Sequence, residues 1–206
     1  MQITTIYPRG FAANGYLVTQ DGKNAVMIDC PRPQSYTQAV ALKQNVRAVL
    51  LTHGHFDHIG GCATMQRLSA KIFCPMQEKS VLYSDYNLAS MAGVNIAPFT
   101  VDEYLADGAK VSLCGLTVTA IATPGHTQGS TCYLVECEGE RVLFTGDTLF
   151  SGSIGRTDFP TGNIGAMRKS LMRLSALPDC TVYPGHGEPT TLAAEKRNNP
   201  YFLNLC

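Results

Sequence analysis

Tryptophan is absent from this sequence, and its 16 basic and 16 acidic residues cancel to a formal charge of zero. No basic run stands out either, so the chain lacks the electrostatic footprint of a nucleic-acid surface, and no nucleic-acid partner is expected. No apolar stretch approaches the roughly 20 residues that a membrane-spanning helix needs. Met1 to Gly10 lacks a basic stretch followed by an apolar core and a small-residue cleavage site. The expectation is a cytoplasmic protein with no membrane partner. The eight cysteines, Cys30, Cys62, Cys74, Cys114, Cys132, Cys137, Cys180 and Cys206, include no CxxC pair. That argues for reduced thiols acting as small buried hydrophobes over finger-type zinc binding. A nucleophile-elbow motif is missing as well.

Only five histidines are present, and their placement is not random. Three of them share the stretch Thr52-His53-Gly54-His55-Phe56-Asp57-His58 with one carboxylate, directly after the apolar run Val46 to Leu51. If the backbone is still extended where it leaves the strand, His53 and His55 point to the same side. Asp57 and His58 follow after the chain has turned, so they can face a second point nearby. His126 follows Leu116 to Ala122, in Thr123-Pro124-Gly125-His126-Thr127. His186 follows Thr181-Val182-Tyr183, in Pro184-Gly185-His186-Gly187. Asp147 follows Val142-Leu143-Phe144, in Thr145-Gly146-Asp147-Thr148. Four strand-like runs thus end in a turn that presents a metal-binding side chain. Neutral imidazole with carboxylate suits zinc, iron or manganese. Asp29 ends another such run; it reads either as a carboxylate that orients a ligand histidine or as a turn residue before Pro31.

The remaining chain reads as strands at Ile3–Tyr7, Gly15–Thr19, Ala25–Asp29, Lys71–Cys74, Val111–Leu113, Thr131–Glu136 and Arg141–Thr145. Helices are predicted over Gln34–Gln44, from Ile59 to Leu68, over Gln77–Met91, over Ile164–Leu177 and over Thr191–Asn198, and an irregular acidic connection over Gly93–Gly108. Tyr83, Tyr86 and Met91 are expected to be core or lid contacts. Residues 1–206 are expected to form one α+β domain with two β-sheets face to face, helices outside and the ligands at one edge.

Together, the HxHxDH stretch, His126 in Pro-Gly-His-Thr, Asp147 in Gly-Asp-Thr and His186 in Pro-Gly-His-Gly resemble the metallo-β-lactamase superfamily, in order and across essentially the whole chain. The resemblance implies an αββα sandwich, two mixed sheets with helices on both outer faces, and two divalent metal ions in the groove between them. His53, His55 and His126 would hold the first, Asp57, His58 and His186 the second, with Asp147 bridging; Asp57 and Asp147 would be the catalytic carboxylates. Zinc is the first choice of metal, with iron or manganese as alternatives. Two such ions about 3.5–4 Å apart can share a water and lower its pKa from about 15.7 towards 7.

Within the superfamily, Gly146-Asp147-Thr148-Leu149-Phe150 and Gly155-Arg156-Thr157-Asp158-Phe159-Pro160 resemble the glyoxalase II group, thioester hydrolases that release a 2-hydroxy acid and a thiol. Arg156 would then bind a carboxylate of the thiol, its alternative being an ion pair with Asp158. The ending Glu195-Lys196-Arg197-Asn198-Asn199-Pro200-Tyr201-Phe202 is similar to that of short, single-domain members. Expected is a small-molecule thioester substrate and a monomer or homodimer. The Gly-Arg-Thr-Asp-Phe stretch also resembles persulfide dioxygenases, which use one iron held by the equivalents of His53, His126 and Asp147. Lactone or phosphoester hydrolysis on the same fold is a further alternative.

Overall fold

A computed structural model describes residues 1–7 and 12–203. Cys206 and part of the Met1 to Gly10 segment lie outside that range. The first sheet has the order β1 (Gln2–Ile6), β2 (Gly15–Thr19), β3 (Asn24–Ile28), β4 (Asn45–Leu50), β5 (Lys71–Pro75) and β6 (Glu103–Leu105). It is antiparallel through β3 and parallel from β3 to β6. The second is built from β7 (Lys110–Leu113), β8 (Leu116–Ala122), β9 (Thr131–Cys137), β10 (Glu140–Gly146), β13 (Thr181–Pro184) and β14 (Thr190–Thr191). Its pairs are antiparallel except β10 with β13. A two-stranded ribbon, β11 (Leu149–Phe150) and β12 (Ser153–Ile154), follows β10.

Alternation along the central strands fixes the layers. Tyr16, Val18, Val26, Ile28, Ala48 and Leu50 of the first sheet pack with Val118, Ala120, Tyr133, Val135, Val142 and Phe144 of the second. Their sequence neighbours Leu17, Ala25, Met27, Val49 and Leu51 face the other way, onto α1 (Ser35–Ala41), α2 (Phe56–Ile59) and α3 (Cys62–Arg67). On the far side Ile121, Cys132, Leu143 and Val182 meet Met167, Leu171 and Leu174 of α6 (Ile164–Ser175), with Leu192 of α7 (Leu192–Asn198) and Phe202 of α8 (Pro200–Leu203). Strands buried on both faces read as continuous apolar runs, which is why β3 and β4 stood out in the sequence. The architecture is the expected αββα sandwich.

Several local expectations are corrected. The helix predicted from Ile59 to Leu68 is two short pieces, because the Gly61 N–H donates to the Cys30 carbonyl at 2.7 Å rather than to Asp57, and Gly61 passes so close to the 30–32 loop that only glycine fits. The helix predicted over Gln77–Met91 is broken into 3-10 turns at Met76–Glu78 and Asp85–Asn87 and the four-residue helices α4 (Lys79–Leu82) and α5 (Ala89–Ala92). Ser84 is extended and accepts the Tyr86 N–H, and Leu88 is left-handed at φ 64°, so no continuous helix can pass either residue. Tyr83, Tyr86 and Met91 are exposed and none belongs to the core. The supposedly irregular 93–108 segment contains β6, a three-residue edge strand too short for an alternation signal. The seven described cysteines are free thiols, six of them buried.

Candidate metal centre

The HxHxDH residues leave the C-terminal end of β4, whereas His126, Asp147 and His186 follow β8, β10 and β13. The seven side chains meet where these strand ends share one edge of the sandwich. His126 Nε2 lies 2.9 Å from His55 Nδ1. Asp147 sits in the middle: Oδ1 is 3.3 Å from His58 Nε2, and Oδ2 is 3.5 Å from both His126 Nε2 and His186 Nε2. Asp57 Oδ2 is 3.2 Å from His186 Nε2. Two ligand-type triads follow, His53 with His55 and His126, and Asp57 with His58 and His186; a third, His53 with His58 and Asp147, overlaps both. No cysteine joins them among the described residues.

Partners at the far side of each ring fix which nitrogen faces inward. His58 Nδ1 is 2.7 Å from Asp29 Oδ2, His53 Nδ1 is 3.1 Å from Thr52 Oγ1, and His126 Nδ1 is 2.7 Å from the Arg156 carbonyl. Asp29 also accepts the Thr52 N–H and hydroxyl, each at 2.8 Å. Its backbone is left-handed at φ 52°, as at a turn, while its carboxylate meets the His58 ring. Asn14 Nδ2 and the Tyr16 hydroxyl donate to the Pro184 carbonyl at 3.1 and 2.6 Å, which ties the His186 turn to β2. Gly185 must lack a side chain, because a Cβ there would collide with Asp147 Oδ1 and the His58 ring.

Sequence reasoning missed a second buried carboxylate. Glu78, fully buried, accepts from Gly54 N–H at 2.6 Å, Thr127 hydroxyl at 2.6 Å and Gly129 N–H at 2.9 Å. It therefore clamps the His53–His55 loop to the His126 loop. Burial pushes its carboxyl up, and these three donors pull it back. The available signal was its position three residues beyond β5, the same strand-end placement that the other site residues share.

Four buried atoms here, Nε2 of His53, His55 and His58 and Oδ1 of Asp147, have no hydrogen-bond partner. His58 Nε2 and Asp147 Oδ1 are close enough for charge attraction but not aligned to bond. Buried polar atoms are nearly always paired, so four orphans gathered in one cluster mark a surface shaped for cations. The charge states agree for His53, His55 and Asp147, whereas at His58 and His186 burial is outweighed by the neighbouring carboxylates, which raise both imidazoles, so that a metal ion there would displace a proton. Burial, reinforced by neighbouring imidazoles, holds His53 well below its usual pKa and His55 down at about 3, which keeps both neutral. Burial opposes ionisation of Asp147, but the surrounding histidines prevail and keep its carboxyl well below the usual range. Neutral imidazole and ionised carboxylate are the ligating forms. The cluster thus fits divalent metal ions.

Beside it opens a cleft of about 960 Å³ reaching from His55, Asp57, His126, Asp147 and His186 to the 88–97 segment. Arg156 lines it but is already paired: Nε and Nη2 donate to the Asp158 carboxylate at 2.7 and 2.6 Å, and the guanidinium lies 3.8 Å over the Phe159 ring. The ion-pair alternative for Arg156 is the one observed.

Fold, strand-end ligands and cleft together define a metal-dependent hydrolase class, and a sequence profile of the metallo-beta-lactamase superfamily matches residues 8–186. The chain belongs to that superfamily. It is 36% identical over 214 residues to the hydroxyacylglutathione hydrolase GloC of Haemophilus influenzae, covering 99% of each chain. Among solved structures it is similar to BLEG-1, a B3 metallo-beta-lactamase, with a TM-score of 0.89, 32% identity, and coverage of 98% of this chain and 99% of the other. A di-iron-bound form of TTHA1623 aligns with a TM-score of 0.79 at 32% identity, covering 98% of this chain and all of that one, 100%. Among the described residues no helix is long and apolar enough to cross a membrane.

Proposed function

We propose that this chain is a thioesterase of the glyoxalase II type that works with two divalent metal ions, cleaving an S-acyl thiol with water into an acid and a thiol. The observation that carries the reading is the position of Asp147, within 3.3–3.5 Å of His58, His126 and His186 and so between the two outer triads. His53, His55 and His126 would hold one ion and Asp57, His58 and His186 the other, with Asp147 placed to serve both. Zinc fits this donor set, as do iron and manganese; the di-iron neighbour favours keeping iron in the comparison. Metal ions bound there supply a water acidified towards neutrality and polarise the acyl oxygen.

The chain's own groups do the positioning. Asp29 holds Nδ1 of His58, and the Arg156 carbonyl holds Nδ1 of His126, so each Nε2 stays aimed at the site. Asp57 and Asp147 carry the negative charge that keeps two cations together. A thiolate is a good leaving group, so no separate acid is needed to protonate it. The whole-length similarity to a protein named hydroxyacylglutathione hydrolase supports a thioester as substrate. A second reading, opening of a β-lactam ring, is favoured by the similarity to BLEG-1.

The test is one preparation, loaded in turn with zinc, iron and manganese, assayed on S-lactoylglutathione, on a chromogenic β-lactam and for sulfide-dependent oxygen uptake. Cleavage of the thioester well above the other two rates is expected. Oxygen uptake with one iron and no thioester cleavage would replace the proposal by the persulfide dioxygenase alternative.

A further inference from the structure

The cleft is large for a small 2-hydroxyacyl group, and its walls are not those of a charged ligand. Leu88, Met91, Val94 and Ile96 line it from the segment after α4, and Phe150 and Phe159 from the segment after β10. The apolar lining begins at the candidate metal centre itself. The Phe159 ring centroid is 5.9 Å from that of His55, and Phe150 is 5.9 Å from His186. Met91 and Val94 are 69% and 42% exposed, so among the described residues the wall presents apolar surface towards solvent.

Among the described residues the two arginines that line the cleft each have a partner, Arg156 a carboxylate and Arg32 a backbone carbonyl, although the buried Arg32 Nε has none. No lysine lines the cleft among the described residues, and Arg156 is held by both oxygens of Asp158 with its face on Phe159. Arg32 donates through Nη2 to the Tyr7 carbonyl at 2.8 Å. A glutathione arm would bring two carboxylates and an ammonium group against this lining, and carboxylates set on apolar surface without a partner are costly. An alkyl arm instead removes both its own surface and the wall's from water.

We infer that the cleft selects thioesters carrying an uncharged, apolar arm several carbons long. The inference rests on the thioesterase reading above and names its substrate class. Hydrolysis is balanced by water alone: the water oxygen bonds to the acyl carbon, the C–S bond breaks, and the two protons end on the acid and the thiol.

Two thioester series test it on the metal-loaded chain. One varies the acyl group on N-acetylcysteamine from acetyl to octanoyl, and the other keeps a lactoyl group and lengthens an alkyl thiol. In at least one series kcat/KM should rise about two- to fourfold per methylene, as burial of a CH₂ allows. Met91→Asp should cut the octanoyl rate more than the acetyl rate and flatten the slope. Calorimetry with uncleavable S-alkyl-N-acetylcysteamine thioethers reads the wall without hydrolysis. Tightening with chain length would support the inference even if no thioester is cleaved, in which case only the thioesterase reading falls. Cleavage with flat slopes in both series, or a preference for carboxylate-ended acyl groups such as glutaryl, would overturn the inference and leave the thioesterase reading standing.

Discussion

On the floor of the cleft, His53, His55, His58 and Asp147 are buried, and the loop that carries the three histidines is clamped by the carboxylates of Asp29 and Glu78. On its far wall, residues 88–97 contain one four-residue helix and carry Met91 and Val94 in solvent. The floor is over-determined, since each of those clamps joins segments 23 to 51 residues apart. The wall is held mainly at its root, where Glu78 and the bonds from Gln128 to the Gln77 carbonyl and Ser80 hydroxyl join it to the His126 loop. A rigid floor keeps reacting groups in register, and a wall whose own bonds are local, such as Ala92 N–H to the Leu88 carbonyl and Val94 N–H to that of Ala89, can shift as a piece.

The comparison breaks most visibly at the floor. If the proposed two-ion site is right, Asp147→Ala and His58→Ala should each lower thioester hydrolysis by on the order of 10³, because several kcal/mol of charge stabilisation would depend on the ions assigned to them. Circular dichroism should show the fold retained. Asp29→Asn should weaken metal binding about 10- to 100-fold in a competition titration, as is usual for a group that orients a ligand histidine.

Glu78→Ala is the next largest, and it acts on folding as well. It leaves two buried N–H groups and a hydroxyl without their acceptor, at roughly 1–3 kcal/mol for each group left unsatisfied. A lowered Tm together with weakened metal binding is expected. In Glu78→Gln the amide must turn its NH₂ towards either Gly54 or Gly129, so an intermediate loss in both measurements is expected. Unchanged metal affinity in both variants would remove Glu78 from the support of the floor.

The floor was the more legible region in the sequence, for a physical reason. A strand buried on both faces is an apolar run, and the turn that ends it must be small or polar, so His53, His126, Asp147 and His186 were marked by their own surroundings. Asp29 shared that signal. Glu78 also follows a strand, but the signal was masked, since its partners Gly54, Thr127 and Gly129 are distant in sequence and its own stretch reads as the start of a helix. The wall was illegible for a related reason. Gln77 to Met91 has helical periodicity, but Ser84 is extended and caps the next turn through the Tyr86 N–H, and Leu88 is left-handed, breaks that apolar periodicity does not register. β6 is a strand only because it pairs with β5.

Substitutions at the rim should have the smallest effects. Arg156→Ala removes an ion pair between exposed side chains, and such pairs contribute little to stability. Because Asp158 already engages the guanidinium, KM for acidic and for neutral thioesters should shift together, within about twofold. A selective rise for acidic thioesters would restore Arg156 as the anchor for a substrate carboxylate.

The most direct test of the floor as a two-ion site is a titration of the metal-stripped chain with zinc or ferrous iron, with thioester hydrolysis read at each addition. The account predicts activity that climbs to a plateau at two ions per chain. A plateau reached at one ion, with no gain from the second, would contradict it.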